Sequence, residues 1–319
     1  MTKLTAAILA AFAGAACFAP GAGADSPLRL VGSVSDGMRV QSDGVRFALT
    51  QLDVYEVPPR VFDTLRGRSF RPAPPAPGCI APLFGGGRLG WVCPGSGVPL
   101  INNLATGVVR EAAGWKAVEA LEDEYTPCGP VAIGRYWVQV GCGQGSCCEQ
   151  EPRYLNHRTG ALVGPLRRPA YADLDYAGLK RPVCAPLSAK ELVEGSDAYA
   201  PPFALEVDWP GFASEITAIR LRKCGRHRAV TLSRCRFGCV TPQLGSRYAT
   251  WGDGDSVVAY LPRTRQRMRL GRPAEAFDWL RLVAVAHTCN RVFAQWGDRV
   301  FVARVKFRRG APRCPRRAP

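Results

Sequence analysis

The sequence predicts an all-β fold, a β-propeller of about six four-stranded blades stapled by disulfides. Three observations point to it. A phrase recurs about every 45 residues, short β-branched and aromatic runs alternate with turn residues, and cysteines flank two turns symmetrically. Convincing helical patterns are few, so the class is all-β rather than mixed.

The recurring phrase is an aromatic residue inside a β-like run, then a turn, then a second run. Its two most similar copies are YATWGDGDSVVAY (248–260) and FAQWGDRVFVARV (293–305). Four of the five intervals between successive aromatic anchors lie near 45 residues, about the length of a propeller blade. The anchors are Phe47, Trp91, Trp137, Phe203, Trp251 and Trp296.

One interval, between Trp137 and Phe203, is longer than the others, and we interpret the excess as an irregular insertion near 170–200. Ser188 and Glu191 have capping-box spacing, which predicts one short helix there. The fourth unit is poorly defined, so five or seven blades stay open. A β-sandwich or two tandem barrels would be the alternatives if the spacing were coincidental.

A second phrase, a polar turn that closes an outer strand, follows several anchors. In three of its copies a Thr precedes a Gly, and Gly allows the positive φ that a tight turn requires. The copies are VFDTLRGRS (61–69), LINNLATGV (100–108), YLNHRTGAL (154–162) and AYLPRTRQR (259–267).

The first 24 residues have the pattern of an export signal. Lys3 precedes an apolar run over 4–18, and Ala22-Gly23-Ala24 fits the small-x-small rule for cleavage. We therefore expect a signal peptide (1–24), one propeller domain (25–307) and a basic Pro/Arg-rich tail (308–319). The mature protein is expected to be secreted, extracellular or attached to the cell envelope, with no transmembrane segment.

The cysteines indicate an oxidising compartment. Cleavage would remove Cys17 and leave an even number of the 13 cysteines, as a disulfide framework requires. One pair is centred on Gly86 and another on Arg135, seven residues to each side, so folding each strand pair about its centre brings the cysteines opposite one another. The predicted disulfides are Cys79–Cys93 and Cys128–Cys142.

The other cysteines leave their pairing open. Four of them can form two bridges in three ways, and Cys289 with Cys314 would tie the tail to the last blade. Adjacent Cys147 and Cys148 are expected to find separate partners. The four with open pairing are Cys184, Cys224, Cys235 and Cys239.

The formal net charge is +16, or +15 once Lys3 leaves with the signal peptide. Arginine dominates the basic residues, and a strong positive field attracts polyanions. An arginine-rich composition that serves only solubility is the alternative. The candidate polyanion contacts are Arg263, Arg265, Arg267, Arg269 and Arg272.

A propeller hydrolase is the rival class, and it would need two carboxylates facing one axial cleft. The acids grouped closely enough to provide them are Asp173, Asp175, Glu206, Asp208 and those in 119–124. His157 and His287 have no evident nucleophile to assist. Asp253 and Asp255 fit a hairpin turn better than a calcium loop, which needs more oxygen ligands.

Two stretches carry a resemblance to known proteins. QSDGVRFAL (41–49) is similar to the Ser-x-Asp-Gly opening of Tol-type periplasmic propeller repeats. DLDYAGLKRPVCAPL (173–187) and the cysteine-bearing hairpins resemble those of uncharacterised secreted propeller-like proteins of actinobacteria. The resemblance implies a scaffold over residues 30–305 and brings no activity with it.

The sequence therefore favours a secreted binding module over an enzyme. We expect it to be a monomer that docks an anionic envelope polymer or an acidic protein partner. No nucleic-acid partner, cofactor, metal ligand or catalytic residue is predicted.

Overall fold

In a computed structural model of the chain, the predicted signal peptide, most of the predicted insertion with its helix, and most of the basic tail fall outside the residues that the structure describes. The described residues are 28–35, 38–51, 59–122, 127–143, 153–164, 198–200, 203–208, 216–223, 228–245, 247–277, 280–308 and 314.

The described strands pair antiparallel in four-stranded units, and the predicted β-propeller is confirmed. In blades 1 to 3 the first strands of successive blades contact one another, which places them at the axis. The other strands of each blade follow outward in sequence order. Blade 1 contains β2 (Gln41–Ser42), β3 (Phe47–Gln51), β4 (Arg60–Asp63) and β5 (Arg68–Phe70). Blade 2 contains β6 (Ile80–Gly85), β7 (Arg88–Val92), β8 (Leu100–Asn103) and β9 (Val108–Glu111), and blade 3 contains β10 (Cys128–Ile133), β11 (Trp137–Cys142), β12 (Arg153–Asn156) and β13 (Leu162–Val163).

Blades 4 and 5 share a strand and form one seven-stranded sheet. Its members are β14 (Ala198–Ala200), β15 (Phe203–Asp208), β16 (Ile216–Lys223), β17 (Ala229–Leu244), β18 (Ala249–Asp253), β19 (Ser256–Leu261) and β20 (Gln266–Leu270). The first part of β17 (229–234) pairs with β16 as the outer strand of blade 4. The second part (239–244) pairs with β18 as the inner strand of blade 5. The disulfide Cys235–Cys239 lies where β17 changes partner.

Blade 6 joins the two ends of the described chain. Its inner three strands are β21 (Leu282–His287), β22 (Arg291–Trp296) and β23 (Arg299–Arg304), and its outer strand is β1 (Arg29–Ser33). The first strand thus completes the last blade, since β1 pairs antiparallel with β23. Six blades result, the number that the repeat predicts.

Most of the aromatic anchors lie in apolar clusters shared by neighbouring blades. All six lie on the second strand of their blade, which explains why the phrase recurs at the blade period. Trp91, Trp251 and Trp296 are among the largest fully buried side chains. Phe62 of blade 1 packs edge-on against Phe293 of blade 6, with ring centroids 5.4 Å apart.

The turns between the third and fourth strands of blades 1 to 3 share one construction. An Asp or Asn at the start accepts backbone N–H bonds within the turn, as when Asn103 Oδ1 accepts from Ala105 at 3.1 Å. The last turn residue has positive φ, and it is Gly67, Gly107 or Gly160 in blades 1 to 3. In blade 5 the same place is taken by Arg265, with φ of 55°.

Both disulfides that the spacing predicts are present. Cys79 and Cys93 flank the β6–β7 hairpin with Cα atoms 4.0 Å apart. Cys128 and Cys142 are direct register partners of β10 and β11, with Cα atoms 4.1 Å apart. A further bridge, Cys289–Cys314, ties the tail to the first turn of blade 6. The one helix of the described residues is α1 (Lys116–Glu119).

Candidate anion-binding face

The two ends of the propeller differ in which turns they carry. At one end lie the turn between the first and second strands of each blade and the turn between its third and fourth strands. At the other end lie the links between second and third strands and the connections from blade to blade. The charged residues divide unequally between these ends.

Carboxylates are concentrated at the second end. Of the eleven Asp and Glu residues that the structure describes, only Asp43 and Asp63 lie at the first end. The other nine are Glu111, Glu119, Glu122, Glu206, Asp208, Asp253, Asp255, Glu275 and Asp298.

Both carboxylates of the first end are engaged in contacts, Asp63 fully buried and Asp43 half-buried. Asp43 Oδ1 accepts backbone N–H bonds from Val45, Arg46 and Phe47 at 2.7–2.9 Å, which closes the turn between β2 and β3. Burial raises the pKa of Asp43 to about 6, and these bonds oppose the shift. Neither this group nor Asp63 presents free negative charge to an incoming ligand.

Asp63 is held by a two-pronged contact with Arg46. Arg46 Nε donates to Oδ1 at 3.0 Å and Nη2 to Oδ2 at 2.6 Å, while Arg66 approaches the same carboxylate at 3.6 Å. Burial alone would raise the pKa of Asp63, but the bonds from Arg46 outweigh it and hold that pKa below its usual value.

Cations, in contrast, occupy most turns of the first end, and we call this end the basic face. The opposite end carries both positive and negative side chains, and we call it the mixed face. The exposed cations of the basic face include Arg29, Arg66, Arg158, Lys223, Arg228, Arg247, Arg263, Arg265, Arg304, Lys306 and Arg308. They come from blades 1, 3, 4, 5 and 6, so the positive charge is spread over the whole face.

The positive field of the basic face acts on a histidine within it. Burial and the charges of Arg88 and Arg158 lower the pKa of His157, although bonds to the carbonyl groups of Arg135 and Gly134 favour its protonated form. Its Nε2 lies 3.0 Å from the Arg135 oxygen. A cationic imidazole is therefore disfavoured at this position, as expected where like charges surround it.

The five arginines predicted to contact a polyanion are divided by the structure. Arg263 and Arg265 lie exposed in the turn between β19 and β20, on the basic face, and neither forms an ion pair among the described residues. Arg267 is already engaged by other groups of the protein. It donates a hydrogen bond to the Leu232 carbonyl, and its guanidinium carbon lies 5.6 Å from the centroid of the Trp251 ring.

The remaining two of those arginines form ion pairs towards the mixed face. Arg269 bonds to Asp253 and Arg272 to Asp255, each at 2.5 Å. Both acids belong to the tight hairpin around Gly254, which has φ of +59°. The hairpin-turn interpretation of these two acids therefore agrees with the structure, and their charges neutralise two of the five candidate cations.

The inner strands offer little to a hydrolase. Among the described residues of β2, β6, β10, β14, the second part of β17 and β21, none is Asp or Glu. Glu206 and Asp208, two of the predicted acids, form ion pairs with Arg222 and Arg220 on β16. Asp173 and Asp175 lie outside the described residues.

His287 is buried in a polar contact between blades 5 and 6. Its Nδ1 lies 2.8 Å from Thr250 Oγ1, and its ring is 4.8 Å from that of Tyr248. Burial lowers the pKa of His287 to about 4, so the ring is neutral at pH 7. The Nε2 atom has no hydrogen-bond partner among the described residues and faces the Gly245 backbone.

Within the described ranges, no group of three or more His, Cys, Asp and Glu residues has the arrangement of a metal site. Among the residues that the structure describes, no helix is long and apolar enough to cross a membrane.

No family model matches the chain, and neither does any curated protein. Among solved structures it is similar to BamB from Moraxella catarrhalis, at 14% identity and TM-score 0.31 over 84% of each chain. It is similar to TolB from Acinetobacter baumannii at 11% identity and TM-score 0.33, over 78% of this chain and 60% of that one. YCF48 bound to D1 peptide matches at 7% identity and TM-score 0.42, over 90% of this chain and 97% of that one.

These neighbours are propeller proteins of distant sequence, and at such scores they carry no argument about function. The six-bladed fold rests on the strand pairing itself. The candidate site therefore rests on the charge distribution, which single-residue motifs did not reveal. A signal was present in the sequence, because Asp43 and Asp63 are the only acids of the described residues that lie near the recurring turns of the basic face.

Proposed function

We propose that this protein is a secreted binding module that docks an anionic polymer of the cell envelope through its basic face. The observation that carries the proposal is the segregation of charge: cations occupy the turns of five blades at one end, and the two carboxylates described there are already engaged by protein groups. A positive surface of this extent raises the local concentration of polyanions.

An extended polymer fits the distribution better than a compact acidic protein. The cations are dispersed over the end of the propeller, from Arg66 in blade 1 to Arg304 in blade 6, instead of forming one local patch. A repeating anion can contact many such sites at once, whereas a protein interface has a buried apolar centre with charges at its rim.

The conformation of Arg265 also supports a binding role for the basic face. Its turn position has Gly in three other blades, and a residue with a side chain costs about 1 kcal/mol there. Strain retained at a position of this kind is a reason to look for a role of the side chain, and here the side chain adds a cation to the basic face.

Secretion is supported by the cysteines. Four disulfides lie within the described residues, including the bridge that ties Cys314 to Cys289, and structural disulfides are characteristic of oxidising compartments. The bridge anchors the tail at the basic face, and Arg316 and Arg317 follow Cys314 directly in the sequence after one proline.

The test compares two variants of equal charge change. One replaces Arg228, Arg247, Arg263 and Arg265 of the basic face with Gln. The matched control replaces Arg39, Arg110, Lys116 and Arg281, which are exposed on the mixed face. Retention of each protein on isolated envelope polymers is measured across a salt series.

We expect the wild type and the control to be retained at low salt and released as salt rises. The basic-face variant should elute at clearly lower salt. Equal elution of the two variants would show that only net charge matters, and absence of retention at low salt would remove the proposal. Retention on immobilised poly-glutamate but not on envelope polymers would indicate an acidic protein partner instead.

A further inference from the structure

Three arginines converge on the basic face where the first and last strands of the propeller meet. Arg291 begins β22 and stands directly opposite Arg304, which ends β23. Arg29 begins β1 opposite Val302, two residues from Arg304 on the same side of the sheet. Cross-strand neighbours of like charge destabilise a sheet, so this arrangement has a cost unless something compensates it.

Arg291 lies in the seam between blades 6 and 1. Its guanidinium carbon is 5.7 Å from the centroid of the Phe62 ring in blade 1. Its Nη2 lies 3.9 Å from the point that a Cβ on Gly67 would occupy, next to the outer turn of that blade. The position is half-buried, and the Nε atom is fully buried without a hydrogen-bond partner among the described residues.

No carboxylate in the described part of the chain compensates this charge. None of the three arginines takes part in an ion pair there, and Asp63, which adjoins Phe62 on the blade 1 side of the seam, is already bonded to Arg46 and Arg66. Burial lowers the pKa of Arg291, and the charges of Arg29 and Arg304 lower it further. The three cations therefore repel one another.

The number of guanidinium groups indicates which kind of anion would fit between them. One guanidinium is enough to engage a carboxylate through two parallel bonds, as Arg46 does with Asp63 on this same face. Three guanidinium groups offer more donors and charge than one carboxylate can use. A phosphate group has more acceptor oxygens and up to two negative charges, and arginine matches its geometry.

We propose that Arg29, Arg291 and Arg304 form a phosphate-binding site at the seam between blades 6 and 1. This inference rests on the proposed function, because it identifies the polymer docked on the basic face as one that carries phosphate groups. A bound phosphate would contact β1, β22 and β23 together, so binding should stabilise the closure of the propeller as well as hold the polymer.

The experiment measures binding of inorganic pyrophosphate by calorimetry and by the shift of the thermal unfolding temperature, at constant ionic strength. The variants are Arg291→Gln and Arg304→Gln, with Arg110→Gln on the mixed face as the matched control. Arg304 is exposed, so its replacement keeps the packing of Arg291 against Phe62 and tests the site even if Arg291→Gln folds poorly.

We expect pyrophosphate to raise the unfolding temperature of the wild type and of Arg110→Gln. Binding should weaken at least tenfold in Arg304→Gln and further in Arg291→Gln, and glutarate should not compete. Long-chain polyphosphate and phosphatidylglycerol vesicles, added separately, then distinguish a polymer from a lipid surface as the source of the phosphate.

The inference is wrong if Arg304→Gln binds pyrophosphate as tightly as the wild type, or if glutarate competes equally well. In that case the proposed function still stands provided that the basic-face variant loses retention on envelope polymers while its control does not. If the wild type binds neither pyrophosphate nor those polymers, both proposals are wrong.

Discussion

Arg265 holds, in the turn between β19 and β20, the left-handed conformation that Gly67 holds in the turn between β4 and β5. Their φ angles are 55° and 66°. The two turns have the same length and the same place in their blades, so the fold requires this conformation and only the residue differs. The exchange adds an exposed cation to the basic face at a position where glycine is favoured.

Replacing Arg265 with Gly should therefore stabilise the protein and weaken its binding. We expect the free energy of unfolding to rise by about 1 kcal/mol, because glycine adopts positive φ without steric cost. Retention on envelope polymers should fall slightly, since one of many cations is lost. Urea denaturation measures the first effect, with Arg263→Gly as the control, because Arg263 is not among the positive-φ residues. An unchanged or lower stability of Arg265→Gly would contradict the strain argument.

The close contact between the first turns of blades 2 and 3 requires a glycine at position 86. A Cβ on Gly86, which has φ of +52°, would lie 2.1 Å from the backbone nitrogen of Arg135. Gly86→Ala should cost well over 2 kcal/mol, because both the backbone conformation and the neighbouring turn oppose it. Gly107→Ala is the control: it has φ of +74° and open space around it, and should cost only about 1 kcal/mol. Equal unfolding temperatures for the two variants would argue against this close contact between turns.

The Cys79–Cys93 bridge closes a hairpin with a sequence separation of 14 residues. Replacing both cysteines with Ala should lower the free energy of unfolding by about 3 kcal/mol in the chain-entropy account. The double variant should keep the β-sheet circular-dichroism spectrum of the wild type. Treatment with a reductant provides an independent check: it should destabilise the wild type by more than it destabilises the variant.

Stability should depend on pH through His287. Its pKa of about 4 in the folded protein lies below the unfolded value near 6.5, so the unfolded state binds more protons between these values. Stability is therefore lost as pH falls from about 6.5 to 4, by up to about 3 kcal/mol. Asp43, whose pKa is raised to about 6, gives a trend of opposite sign and similar size between its ordinary pKa and 6, so it offsets much of the His287 trend in the range that the two share.

His287→Asn lacks the His287 contribution and keeps that of Asp43, so its free energy of unfolding should rise relative to that of the wild type as the pH is lowered from 7 to 5. The comparison is best made by chemical denaturation at pH 7 and pH 5, with His157→Asn as a second variant. A slope that is unchanged in His287→Asn would show that the ring is not held neutral by burial.

The sequence predicted the parts of the fold that repeat. Each anchor, from Phe47 to Trp296, occupies the second strand of a blade, because a strand buried between two neighbours needs a large apolar side chain at the same place each time. The cysteine hairpins could be predicted for a similar reason, since a two-stranded turn fixes which residues face each other.

What the sequence did not reveal depends on contacts across strands and between distant parts of the chain. Asp253 and Arg269 are 16 residues apart, and no local sequence pattern links them. The fold of β18 to β20 brings the two side chains together. The convergence of Arg29 with Arg291 and Arg304 required knowing that β1 pairs with β23. No local pattern carries that information, because the pairing joins opposite ends of the chain.

The pairing of β1 with β23 also sets the order in which the molecule can fold. Blades 1 to 3 are built from neighbouring segments and can form as soon as those segments are available, whereas the last blade must wait for both ends of the chain. Contacts so distant in sequence form late and slowly. Until then the outer edge of β23 stays unpaired and open to strands of other molecules. We therefore expect the protein to be most exposed to aggregation before β1 has paired with β23.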